Sequence, residues 1–220
     1  MAHKDLKSFI KELKDKDQLK EITVEVDPTL EISAITDRVV KQNGPALLFT
    51  NVKGHPDIPV LVNTFGSRER MELALGGRSL DEIAAEIADL INPQLPNSIT
   101  EKLQLLPRLA RLKDLQSKII RSGPCQEVIQ TDSPSFGNLP VIKCWPEDGG
   151  KYITFAQVIT KHPEKGTRNV GMYRLQVFDD KTLGLHWQRH KGGAHHYSVA
   201  ERLGKRLEVA IVLGPDPETM

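Results

Sequence analysis

The chain has 220 residues, thirty basic against twenty-nine acidic, with 39% hydrophobic and 27% charged side chains. That length holds one large domain or two small ones, and the composition is that of a soluble globular protein. A net charge of +1 leaves no electrostatic footprint for nucleic acid or an anionic membrane, and two cysteines, Cys125 and Cys144, supply neither a disulfide scaffold nor a zinc motif.

The N-terminus, MAHKDLKSFIKELKDKD, alternates apolar and charged residues and offers no uninterrupted core for a signal peptide. Leu6, Phe9, Ile10 and Leu13 fall at helical spacing and predict an amphipathic helix over Asp5–Leu13. Ile22, Val24 and Val26 alternate with charged partners, so Leu19–Val26 reads as a half-buried strand. A second helix is expected over Leu30–Val40, ended by Asn43-Gly44-Pro45. Two short strands, Ala46–Val52 and Ile58–Val62, follow around a turn at Gly54. This order argues for an α/β layer.

From Ser67 to Ser122 the pattern is mostly helical. Met71, Leu73 and Leu75 precede Gly76-Gly77, and Leu80, Ile83, Ala84, Ile87 and Leu90 form a second apolar stripe. Pro93, Pro96 and Pro107 then divide the chain before a basic helix near Leu109–Ile120. Its Arg and Lys residues read as a solvated face, given Asp114 and the neutral overall balance.

After Gly123-Pro124 short β-rich segments take over: Glu127–Thr131, Val141–Cys144, Tyr152–Thr160, Val170–Phe178 and Leu183–Trp187. Strands this close together suggest an antiparallel barrel or sandwich. A helix over His196–Leu203 and a strand over Leu207–Leu213 complete the chain. The domain boundary is placed near residue 122, giving 1–122 and 123–220. The longest apolar runs are far too short to cross a bilayer, which makes a cytoplasmic protein the default.

Two groups of residues carry chemistry. Asn169 offers a hard amide oxygen for Mn²⁺ or Mg²⁺, and Arg174 a guanidinium for a carboxylate or phosphate. In a regular strand they would face opposite sides, so their convergence requires a bulge, expected at Gly171. The bland alternative is a turn asparagine beside a surface arginine. The second group is HWQRHKGGAHH, with His186, His190, His195 and His196. Here Lys191 and Gly192-Gly193 suit a phosphate, Trp187 an aromatic wall, and one histidine a metal. Its alternative is a chance cluster of solvated histidines.

Together these segments, TRNVGMYRLQVFDDKTLGLHWQRHKGGAHHY, closely resemble the signature of UbiD-type decarboxylases, in the combination N-x-G-x-Y-R followed by W-x-x-H-[RK]-G-G. The resemblance covers nearly the whole chain. It implies an α+β protein: an N-terminal α/β domain, then a split β-barrel like that of flavin reductases. It also implies reversible, non-oxidative decarboxylation of aromatic or α,β-unsaturated acids, including hydroxybenzoate-type precursors of ubiquinone or menaquinone. The cofactors implied are prenylated FMN and Mn²⁺ or another divalent metal, with K⁺ a further candidate, and the partner a flavin prenyltransferase.

Carried onto this chain, the resemblance makes Asn169 and His190 metal ligands. Met172, Tyr173 and Arg174 line the flavin, as do His186, Trp187 and Gln188, and then Lys191 and Gly192. Arg174 also organises the substrate carboxylate. His186 stands where some relatives have arginine. Relatives are expected to supply a metal-binding glutamate, a catalytic acid and an oligomerisation domain from a later segment, and Glu201, Glu208 and Glu218 match neither carboxylate. The chain therefore reads as the front portion of a homo-oligomeric enzyme, inactive alone and peripheral to the membrane if its substrate is prenylated. The rivals are a flavin reductase-like oxidoreductase using FMN and a non-catalytic fragment.

Overall fold

The structure is a computed structural model and describes residues 3–91 and 119–220. Two compact units emerge, one of residues 1–78 with 135–220 and one of residues 79–134, so the boundary expected near residue 122 lies inside the second. The basic segment near Leu109–Ile120 lies mostly outside the described residues, as do Pro93, Pro96 and Pro107.

Helix α1 (Leu6–Asp15) starts where its chemistry says it should. Asp5 accepts a hydrogen bond from the Ser8 backbone N–H at 2.8 Å, and the Ser8 hydroxyl reaches back to Asp5. This reciprocal cap satisfies amides that the first turn leaves unpaired. Phe9 and Leu13, fully buried, anchor the apolar stripe. Strand β1 (Leu19–Ile22) then pairs in parallel with β2 (Ala46–Phe49), with α2 (Glu31–Lys41) as the crossover. Strand β3 (Val60–Val62) pairs antiparallel on the other side of β2. All four residues of central β2 are buried, which explains its unbroken apolar reading. Helix α3 (Arg68–Ala74) closes this layer. In the second unit, α4 (Leu80–Ile91) has the expected stripe, but none of its residues is buried.

Residues 135–220 form two three-stranded antiparallel sheets. One joins β4 (Lys151–Ile153), β7 (Leu175–Val177) and β8 (Leu183–Leu185). The other joins β6 (Arg168–Met172), β5 (Gln157–Lys161) and β9 (Val209–Val212). Ile153, Val158, Tyr173 and Leu175 from both sheets share one core with Val141 and Ala156. Helix α5 (Gly192–Arg202) packs on β5 and β6. The chain is thus a mixed α/β protein with small sheets.

Several expected strands are corrected. Tyr152–Thr160 and Val170–Phe178 each divide, because the chain changes sheets at residues 154–156 and again at Tyr173-Arg174. Val141–Cys144 contributes only isolated bridges, Ile142 to Tyr152 and Lys143 to Thr29. Glu127–Thr131 is irregular, with Val128 and Ile129 88% and 73% exposed. An apolar run becomes a strand only where a partner edge takes its hydrogen bonds.

Candidate functional site

The change of sheet at Tyr173-Arg174 builds the site. Strand β6 stays in regular register through Gly171, opposite Val158, and Met172, opposite Gln157. No bulge interrupts it at Gly171, contrary to expectation. Gly171 is required for another reason: a Cβ there would stand 2.8 Å from Cε2 of the Tyr173 ring. Beyond Met172 the chain turns into the other sheet, and its side chains leave the alternation that β6 imposed on them.

This turn brings the two motifs together through three hydrogen bonds, with a fourth inside the first motif. The Arg174 carbonyl accepts from the His186 N–H at 3.1 Å, which lays Met172-Tyr173-Arg174 beside His186-Trp187-Gln188. Lys191 Nζ donates to the Met172 carbonyl at 3.2 Å and lies 5.3 Å from the centre of the Tyr173 ring. The buried Tyr173 hydroxyl accepts from the Gly193 N–H at 2.8 Å and from Asn169 Nδ2 at 3.2 Å. Trp187 meets the Tyr173 ring edge-on at 5.2 Å.

Glycine at 192 and 193 follows from this crowding. A Cβ on Gly192 would overlap Asn169 Oδ1, and one on Gly193 would overlap Trp187 and stand 2.7 Å from the Tyr173 hydroxyl. Both glycines open α5, where backbone N–H groups without helical partners favour an anion. Asn169, Tyr173, Lys191 and Gly192 thus converge.

Three expected residues stand further out. Arg174 is exposed, its guanidinium 4.9 Å above the Tyr152 ring. Tyr152 in turn walls an apolar cavity of about 390 Å³ shared with Phe65, Val141, Phe155 and Leu213. Gln188 and His190 are exposed in the turn before α5, and no side-chain hydrogen bond joins His190 to Asn169.

Two family profiles match the chain. One, described as the 3-octaprenyl-4-hydroxybenzoate carboxy-lyase N-terminal domain, matches residues 10–91, and the other, the Rift-related domain of the same carboxy-lyase, matches residues 118–220. The chain belongs to the UbiD family. An uncharacterised protein of Aquifex aeolicus is 48% identical over 98% of this chain and 44% of its own length. Two solved UbiD-class structures share 27% identity. An evolved dimeric form of HmfF from Pelotomaculum thermopropionicum, in complex with prFMN, has a TM-score of 0.80 over 98% of this chain and 45% of that one. The closed form of vanillic acid decarboxylase from Sedimentibacter hydroxybenzoicus has 0.79 over 99% and 44%. The chain therefore spans under half the length of the relatives it matches.

The UbiD signature of this chain fits one side of a site for a metal-bridged phosphate. Asn169 Oδ1 is a hard oxygen with no hydrogen bond among the described residues, and the missing Cβ of Gly192 lets it approach the start of α5. No group of three or more His, Cys, Asp or Glu among the described residues is placed to hold a metal.

Sequence reasoning missed one feature. His162, buried at the end of β5, gathers His195 and His196, with ring centres 5.5 Å and 5.1 Å from its own. His196 is buried, and its Nδ1 lies 2.9 Å from the Thr160 hydroxyl. Burial first, then the neighbouring His162 and His195, hold its imidazole below the ordinary histidine pKa. His162 Nδ1 accepts from the Glu164 and Lys165 N–H groups, which places its proton on Nε2 when neutral. A metal-bound imidazole donates from its second nitrogen instead, so His162 is not arranged as a metal ligand. With His162 more than thirty residues from His195, no local spacing announces it.

Proposed function

We propose that the complete protein is a reversible, non-oxidative carboxy-lyase for an aromatic or α,β-unsaturated acid, such as a hydroxybenzoate-type quinone precursor. This chain forms the cofactor side of its site. Its cofactors are prenylated FMN and a divalent metal, Mn²⁺ by donor chemistry. The observation that carries this reading is the interlock of the two motifs: Tyr173 binding Asn169 and Gly193, and Lys191 capping Met172.

Asn169 would hold the metal through Oδ1, and His190 would offer a second donor from the turn before α5. Lys191 and the N-terminus of α5 neutralise the phosphate. Met172, Tyr173 and Arg174 would line the flavin, as would His186, Trp187 and Gln188, with Lys191 and Gly192 a third contact. Prenylated FMN, when bound, supplies the electron sink that loss of CO₂ requires.

Arg174 binds and orients the substrate carboxylate. Its perch on Tyr152, which also walls the apolar cavity, suits an acid with a flat hydrocarbon skeleton. The second half of the chain is a split barrel whose two sheets share one core. A flavin prenyltransferase supplies the cofactor, and the complete enzyme is a homo-oligomer, a reading supported by the dimeric HmfF. It works in the cytoplasm, at the membrane surface when the substrate is prenylated. No helix among the described residues is long and apolar enough to cross a membrane.

Expression of the chain with a flavin prenyltransferase tests the cofactor reading. A chromophore and manganese should co-purify. Colourless, metal-free protein of native fold would remove it, and NADH oxidation by FMN-loaded protein would favour a reductase instead.

A further inference from the structure

We infer that Tyr173 is a positioning residue whose hydroxyl sets the orientation of the Asn169 amide and locks it to the first turn of α5. The inference deepens the proposed function and rests on it where it concerns a metal. Three observations carry it. The hydroxyl is the common acceptor for Asn169 Nδ2 and the Gly193 N–H, at 3.2 Å and 2.8 Å, so one oxygen joins β6 to α5. The ring is 4% exposed and fixed on several sides by the edge of Trp187, by Gly171 and by the core it shares with Val158 and Leu175. Asn169 Oδ1, opposite the bonded Nδ2, is thereby set against Gly192, in the place a Cβ there would take.

The physics of an amide makes this orientation decisive. Its two ends have almost the same shape and opposite polarity, so an unrestrained Asn169 would present two N–H donors to a cation as readily as its oxygen. Once Nδ2 donates to Tyr173, the oxygen is the end of the amide set beside the first turn of α5. The Gly193 N–H, used by the same hydroxyl, is withdrawn from any anion at the helix start. Phosphate binding there falls to Gly192, Ala194 and Lys191.

The test is nuclear magnetic resonance on the 220-residue chain and its Tyr173→Phe variant, which keeps the ring and removes only the hydroxyl. The Asn169 Nδ2 protons and the Gly193 amide should be protected in the unmodified chain. In the variant both should exchange roughly five- to tenfold faster, the scale of one lost hydrogen bond, while the Val158 and Leu175 amides hold their rates. Unprotected Asn169 Nδ2 protons in the unmodified chain would overturn the inference without any variant. So would unchanged Asn169 exchange in Tyr173→Phe, or a uniform loss of protection across the core, which marks a merely structural hydroxyl. Mn²⁺ alone is the second probe. It should broaden the Asn169 side-chain signal at about tenfold lower concentration in the unmodified chain than in the variant, and equal broadening in both overturns the inference. No broadening in either rejects the metal reading, and the exchange rates still decide the role of Tyr173.

Discussion

Asn169 and Gly192 face each other so closely that a Cβ on residue 192 would overlap the amide oxygen and come within 3.0 Å of Asn169 Cγ. The two residues belong to different motifs, one in β6 and one at the start of α5. Glycine is needed here for approach rather than for backbone conformation, since neither Gly192 nor Gly193 has a positive φ.

Gly192→Ala should therefore damage the site and spare the fold. Residue 192 is exposed, so the side chain that must yield is Asn169. Cofactor and manganese retention by the co-expressed protein should fall about tenfold or more, a loss of roughly 1.4 kcal/mol of binding, while the thermal midpoint stays close to that of the unmodified protein. Full retention would show that Asn169 Oδ1 has room elsewhere.

Gly193→Ala should act in the opposite way. Residue 193 is buried, and its Cβ would meet both Trp187 and the Tyr173 hydroxyl. Overpacking of this kind costs about 1–3 kcal/mol. Urea denaturation should show that loss, and an unchanged midpoint would contradict the packing described.

Arg174→Ala in the complete protein should abolish turnover and leave the flavin bound, because the guanidinium is exposed and contributes no core contact. Retained turnover with a normal KM would reject its role in holding the carboxylate.

The histidine cluster predicts a pH dependence. His196 has a folded pKa below its unfolded value of 6.5, so the neutral form is the one the fold prefers. Its contribution to stability is whole above pH 6.5 and is lost as pH falls from there towards the lowered folded pKa. His162 and His195 face the same ring, with the Thr160 hydroxyl on its Nδ1. Urea midpoints between pH 7.5 and pH 5 should fall less steeply for His196→Gln than for the unmodified chain. Parallel curves would exclude His196 as the source.

Arg70 predicts a substitution without loss. It is 2% exposed, and only its Nη1 has a hydrogen-bond partner among the described residues, Gln18 Oε1 at 3.2 Å. Desolvation holds its guanidinium below the usual arginine pKa, and Glu69 opposes that shift. Arg70→Met keeps the volume and removes an uncompensated buried charge, so the denaturation midpoint should hold or rise. A drop above about 1 kcal/mol would reveal a partner for the two free nitrogens.

The helices were the most legible elements. Leu6, Phe9, Ile10 and Leu13 repeat at helical spacing, and Asp5 with Ser8 writes its own cap, so α1 follows from local chemistry. The strands were legible in position but not in extent. Val128 and Ile129 have the β-branched character of a strand and remain exposed, and no strand among the described residues pairs with them. Tyr152–Thr160 reads as one run and divides, because Ala156 must reach a core shared by two sheets.

The sequence by itself determined which residue types are available: an amide, a guanidinium, a lysine and paired glycines, in a combination specific enough to point to a family. Tertiary structure alone decided which of them meet. Tyr173 joins Asn169 to Gly193 across a separation of more than twenty residues, and His162 finds His195 and His196 across a longer one. The physical reason is that periodicity reports only which face of its own element a side chain occupies. A strand that changes sheets, as this one does at Arg174, redirects its side chains by backbone hydrogen bonds that distant residues provide.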